Sequence, residues 1–71
     1  MKRIYVSKFA ISLSHLSFEF SIASVLASSK KGAEDEAWRL IRQRYRSEAI
    51  QLLETIVIPD ELVDAAYLAR N

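Results

Sequence analysis

Residues 16–22 have the sequence LSFEFSI, in which every second residue is apolar. Strict alternation of this kind is typical of a strand in an antiparallel sheet that has one face on the core and the other in water. It predicts a strand that continues towards Ala27. The apolar residues of the strand are expected in the core: Leu16, Phe18, Phe20 and Ile22. The polar residues between them are then expected to face solvent.

Residues 3–13 show a similar but looser alternation just before this strand. A period of two places four apolar side chains on one face of a first strand: Tyr5, Phe9, Ile11 and Leu13. The break at Ser14-His15 separates the two strand-like segments and predicts a β-hairpin. It contains no Asn-Gly or Gly-Gly, so the type of turn stays open.

A helical period follows from Ala33 to Arg46. One apolar stripe, with Trp38 on its flank, would face the core: Ala33, Ala37, Leu40, Ile41 and Tyr45. Ser28 or Ser29 is expected to cap this helix. The acidic residues at positions 34–36 are expected in the first turn of the helix, and Arg42, Arg44 and Arg46 in the last turn. Both placements are favourable for the helix dipole. Asp35 and Arg39 are spaced to pair at i, i+4.

Residues 49–58 fit either a strand or a short buried helix. The β-branched residues at 55–58 and the proline that follows favour a strand. Pro59 is expected to begin a final helix that runs through Ala69. The chain therefore predicts a single α+β domain over residues 1–71, a three-stranded antiparallel sheet with two helices on one face, in the order ββαβα.

The composition excludes several classes of function. The chain has 71 residues, no cysteine, one glycine, one histidine and a net charge of +1. Thiolate chemistry and a Gly-rich phosphate loop are therefore excluded, and the spacing of the carboxylates does not suit a metal. We expect no cofactor and no membrane span. The lack of cysteine fits a cytoplasmic protein, and Lys8 and Glu19 interrupt what would otherwise resemble a signal peptide.

Two clusters invite a catalytic interpretation, and neither supports one. Glu34, Asp35 and Glu36 are adjacent on a helix, so their side chains diverge and cannot converge on a substrate. His15 lies near serines but has no strand–turn–helix elbow and no orienting acid. We therefore expect a protein that is not an enzyme and that has no catalytic residues.

The arginines of the helix are the best candidate for a binding surface. Arg39, Arg42 and Arg46 follow i, i+3, i+7 spacing and would line one face. The guanidinium fork suits carboxylates and phosphates, so the expected partner is an acidic protein surface or, as the alternative, a nucleic acid. A solvated helix face that binds nothing would have the same pattern. The nearly balanced net charge favours a protein partner.

The outline from Ile4 to Tyr45 is a hairpin, then Ser28-Ser29, then an amphipathic helix. It resembles very small phage and mobile-element accessory proteins, including some anti-CRISPR inhibitors. The resemblance implies a stoichiometric inhibitor that occupies a surface of a host defence complex by protein contact, and it carries over no functional residue. The alternative is a small nucleic-acid-binding or regulatory domain that uses the arginine face. The two edges of the predicted sheet also allow a homodimer.

Overall fold

Three strands and one helix form in the part of the chain that the structure describes, residues 2–46 and 49–62 of a computed structural model. They are β1 (Arg3–Ser14), β2 (Ser17–Ala27), α1 (Lys30–Arg44) and β3 (Ala49–Val57). The strands form one antiparallel sheet in the order β2-β1-β3, with β1 in the centre. The α+β class and the three-stranded antiparallel sheet are confirmed, and residues 49–57 are a strand.

A short helical piece follows Pro59. Residues 60–62 are helical, and the amide of Leu62 donates to the carbonyl of Pro59 at 3.0 Å. Residues 63–69 of the predicted final helix lie outside the described residues. The order ββαβα is therefore approximate, with α1 as the long helix on the sheet.

Ser29 caps helix α1, as one of the two predicted caps, and the helix begins at Lys30 rather than near Ala33. The Ser29 hydroxyl accepts a hydrogen bond from the amide of Gly32 at 3.1 Å, which satisfies one of the unpaired donors of the first turn. The helix then starts at Lys30, so residues 34–36 fall in its second turn. The prediction that this acidic triple occupies the first turn is wrong.

The core lies between α1 and one face of the sheet. Phe9 and Ile11 on β1 are fully buried, and the ring of Trp38 meets the ring of Phe9 edge-on at 5.1 Å between centroids. The remaining buried apolar residues come from β2 and the helix: Ala23, Val25, Ala33, Ala37 and Ile41. Because the helix contributes two alanines, its backbone can lie close to the sheet.

A β-bulge at Leu13 determines which face of β2 packs against helix α1. Ser14 pairs with Ser17, but Ser12 pairs with Phe18 rather than with Glu19, so the register shifts by one residue between Ser12 and Ser14. A shift of one residue moves every side chain to the other face of the sheet. Beyond the bulge Phe9 lies opposite Ser21, and the small residues of β2 face the helix.

The predicted core is therefore wrong for β2. Phe18, Phe20 and Ile22 were expected beneath the helix, and they lie on the opposite face of the sheet. Leu16 belongs to the two-residue turn with His15 and is exposed.

The predicted core is mostly right for β1 and α1. Phe9, Ile11 and Ile41 are buried, and their predicted core positions are confirmed. Leu13 is exposed because it is the extra residue of the bulge, and Leu40 lies at the exposed margin of the helix.

A second β-bulge, in β3, shifts the pairing of β3 with β1 by one residue. Lys8 pairs with Glu54 and Phe9 pairs with Leu52, so Leu53 is the extra residue. Leu52 and Ile50 consequently face the same side as Phe9 and Ile11, and both pack against the core. The two bulges place Ile50 and Leu52 of β3 under the helix, and Phe18, Phe20 and Ile22 of β2 on the opposite face.

Candidate protein-binding surface

The face of the sheet opposite α1 is apolar, and the described residues leave it uncovered. We call it the open face. On β2 its residues are Phe18, Phe20, Ile22 and Leu26, which are 64%, 56%, 61% and 62% exposed. Their neighbours on the same face are Ile4, Val6, Lys8 and Ala10 of β1, and Gln51, Glu54 and Ile56 of β3. Large contiguous apolar patches are uncommon on monomers and typically mark a contact site.

The aromatic residues of the open face are held by neighbours on that face. The rings of Phe18 and Phe20 meet edge-on with their centroids 5.5 Å apart. The ammonium of Lys8 lies 4.7 Å from the centroid of Phe20, a cation–π arrangement that draws Lys8 towards β2. Phe20 is thus fixed on two sides, which favours its use as a preorganised contact residue.

Two opposite charges lie at the middle of this apolar surface. Lys8 is paired in register with Ile22 on one side and with Glu54 on the other. Both ion pairs among the described residues lie on α1, so Lys8 and Glu54 do not form one with each other. A hollow spans this row, lined by Val6, Lys8, Ile22, Glu54 and Ile56. The open face therefore exposes one cation and one anion among its apolar side chains.

The three predicted contact arginines do not form a single helix face. Arg39 and Arg42 lie on α1, but the helix ends at Arg44 and Arg46 lies beyond it. Arg39 does not pair with Asp35 as the spacing suggested. Its Nε donates to Glu36 at 3.0 Å and its terminal nitrogen makes a second hydrogen bond to the same carboxylate, while Asp35 pairs with Lys31 at 3.6 Å.

The Glu36 pairing changes the electrostatics of Arg39. The hydrogen bond from the guanidinium lowers the pKa of the Glu36 carboxyl and raises the pKa of Arg39. Arg42 lies instead over the ring of Trp38, at 5.1 Å from its guanidinium carbon to the ring centroid. The exposed cations at the carboxyl end of α1 are Arg42, Arg44 and Arg46.

Tyr45 joins the end of the helix to β2. Its hydroxyl donates a hydrogen bond to the carboxylate of Glu19, on the face of the sheet that bears the helix. That hydrogen bond, followed by desolvation, raises the pKa of the Tyr45 hydroxyl above its ordinary value of 10.0. The contact fixes the end of α1 over the outer part of the hairpin.

The sequence predicts a contact region at the arginines, which stays a prediction, and it wrongly assigns the large residues of the open face to the core. Alternation separates the two faces of β2 without saying which one the helix covers. Which face is covered depends on how the sheet packs against the helix, and no local pattern in β2 specifies it.

No helix among the described residues is both long and apolar enough to cross a membrane. Within the same ranges, 2–46 and 49–62, no three acidic or histidine side chains gather as metal ligands. Comparisons with protein-family models, with curated protein sequences and with solved structures found no match to this chain.

Proposed function

We propose that the protein is a non-enzymatic binding protein that acts by contact with another protein. The observation that supports this best is the open face, where four large apolar side chains of β2 are more than half exposed. Aromatic side chains that are held in place on an exposed apolar surface are typical anchors of protein interfaces. The exposed arginines at the end of α1 add a second, cationic contact region for an acidic partner surface.

The resemblance to small phage and mobile-element proteins suggests what kind of binding this is. In that proposal the chain is an anti-CRISPR-like inhibitor that occupies a surface of a host defence complex in a fixed stoichiometry. The resemblance rests on size and on the order of hairpin and helix.

A second candidate function is contact with a nucleic acid through the same end of the helix. Arg42, Arg44 and Arg46 are exposed there, and Trp38 lies beside Arg42. Binding of this kind depends on phosphate contacts, so its affinity falls steeply as the salt concentration rises.

Tagged protein incubated with lysate of the native host, with and without nuclease, distinguishes the two candidates. We expect a defined protein partner that is retained after nuclease treatment. Replacement of Arg42, Arg44 and Arg46 by alanine should weaken its capture, since these are the exposed cations at the carboxyl end of α1. Replacement of Lys30 and Lys31 at the opposite end of α1 is the matched control.

Loss of every partner on nuclease treatment would contradict the protein-contact proposal. It would favour the nucleic-acid function, particularly if capture also declines steeply with salt. Unchanged capture by the triple-alanine variant would remove the arginines from the contact region.

A further inference from the structure

We infer that the open face is an interface between two copies of this chain, which pack sheet to sheet around a two-fold axis. The inference rests on the proposed function, in which the open face is a protein contact. It names a second copy of the chain as the protein in that contact. The arginine end of α1, on the opposite side of the sheet, then stays accessible to a different partner.

The side chains of the open face are complementary to themselves, as a two-fold interface requires. We place the two-fold axis between the two sheets and parallel to the central strand β1. This arrangement stacks β2 of each copy over β3 of the other. The bulky Phe18 then lies over the other copy's Ala49, since both pair with Ser12 in the sheet. The small Ser24 lies over the other copy's Ile56, because both pair with Val6. In these two rows a large side chain of one copy therefore meets a small side chain of the other.

The charges of the open face complement each other under the same axis. Ile22, Lys8 and Glu54 form one row across the sheet, so the other copy's Glu54 comes to lie over Ile22. Lys8 leans to that side, towards β2, as its contact with the Phe20 ring shows. Each lysine is therefore directed to the other copy's glutamate, and the two lysines lean away from each other. Without such pairing, covering Lys8 and Glu54 would be costly.

The size of the open face indicates a weak dimer. Nine residues of β2 span roughly 30 Å and three strands are about 14 Å wide, a footprint on the order of 400 Å². Stable dimers typically bury about 800 Å² on each partner. The dimer is therefore expected to be weak, and it must be sought at micromolar and higher concentrations.

Sedimentation velocity of the purified full chain, from about 1 to about 500 µM, tests the inference in the range where a micromolar dimer dissociates. We expect monomer at the low end and dimer at the high end. Ile22→Glu places a carboxylate beneath the other copy's Glu54 and should weaken the dimer at least about ten-fold. Leu16→Glu, which adds the same charge at the exposed turn, should leave it unchanged. Circular dichroism of each variant checks that the fold is intact.

A charge exchange tests the two-fold arrangement itself. Lys8→Glu and Glu54→Lys should each weaken self-association, because like charges then meet in both contacts. Mixing the two variants should restore the dimer, because every contact between unlike copies joins a glutamate to a lysine.

A chain that stays monomeric over the whole concentration range would overturn the inference. So would a dimer that is insensitive to Ile22→Glu, which would point to the edges of the sheet. Neither result removes the proposed function, because capture of a partner from lysate is measured independently. A monomer whose lysate partner is lost in Ile22→Glu would leave the protein-contact function in place and assign the open face to that other partner.

Discussion

Ser7 is a polar residue inside the sheet–helix layer, with only 1% of its surface exposed. Its hydroxyl lies 2.8 Å from that of Thr55, its cross-strand partner on β3, and either group can be the donor. A buried hydroxyl without a partner is destabilising. The hydrogen-bonded pair therefore links the central strand β1 to the edge strand β3 inside the layer beneath the helix. It favours the observed register of β3 close to the bulge at Leu53.

We expect Ser7→Ala and Thr55→Val each to lower the free energy of unfolding by about 1 kcal/mol, because each leaves the other hydroxyl unpaired. The double variant should cost clearly less than the sum of the two, since it removes both polar groups together. Urea unfolding of all four proteins measures this coupling. Strictly additive costs would show that the two hydroxyls do not depend on each other.

The hydrogen bond between Tyr45 and Glu19 makes stability depend on pH in the alkaline range. The folded chain raises the pKa of Tyr45, so the folded state holds this proton more tightly than the unfolded state does. The contribution to stability is therefore complete below the ordinary pKa of about 10 and is lost as the pH rises through the higher pKa of the folded state.

We expect Glu19→Gln to move the pKa of Tyr45 down towards its ordinary value, because the amide accepts the phenolic hydrogen bond without a full negative charge. NMR of the tyrosine ring carbons against pH, with Tyr45→Phe for assignment, measures the shift. Ser17→Ala, at another exposed position of β2, is the matched control. A Tyr45 pKa that is the same in the Glu19→Gln variant as in the wild type would show that the charged hydrogen bond is not its cause.

The hairpin and the helix stripe are the elements that follow most directly from the sequence. Alternation in β2, the break near Ser14 and the period of α1 all predict elements that the structure contains, because they express local preferences. The bulge at Leu13 has no comparable local signal, since it depends on which face of β2 fits beneath Ala33 and Ala37. The open face could not be predicted for that reason, although nearly every residue on it belongs to a correctly predicted strand.

Deletion of Leu13 tests whether this residue is the extra one in β1. Ser12 already pairs with Phe18 and Ser14 with Ser17, so joining Ser12 to Ser14 leaves a regular ladder and keeps Phe9 opposite Ser21. Leu13 is 47% exposed and lies outside the core cluster, so its loss removes no core side chain. We therefore expect the deletion variant to unfold cooperatively in a thermal melt, with Tm within a few degrees of the wild type.

Deletion of Ala10, in the regular part of β1, is the contrasting variant. It would make Phe9 and Ile11 adjacent, so the two would point to opposite faces of the sheet and one would leave the core. Losing a large core side chain costs about 2–5 kcal/mol, so Tm should fall by many degrees or cooperative unfolding should vanish. Equal damage from the two deletions would contradict the assignment of Leu13 as the bulge.

At the scale of the whole molecule, the apolar residues are divided unequally between two layers. The layer beneath α1 contains Phe9 and Ile11 together with several alanines, and the open face carries the larger share of the bulky side chains of β2. Burying apolar area contributes about 25 cal/mol per Å². Covering the open face would therefore add to the stability of this small domain, and a dimer would link its thermal stability to protein concentration.

This division also determines how the sequence can change over evolutionary time. Small side chains such as Ala33 and Ala37 are confined by close packing, so mutational tolerance should be narrowest where the residues are smallest. The phenylalanines of β2 contribute little to the layer beneath the helix, so under the proposed function they are constrained mainly by the partner that they contact. A lineage could therefore acquire a new binding specificity by substituting its most conspicuous hydrophobic residues while the scaffold beneath them stays the same.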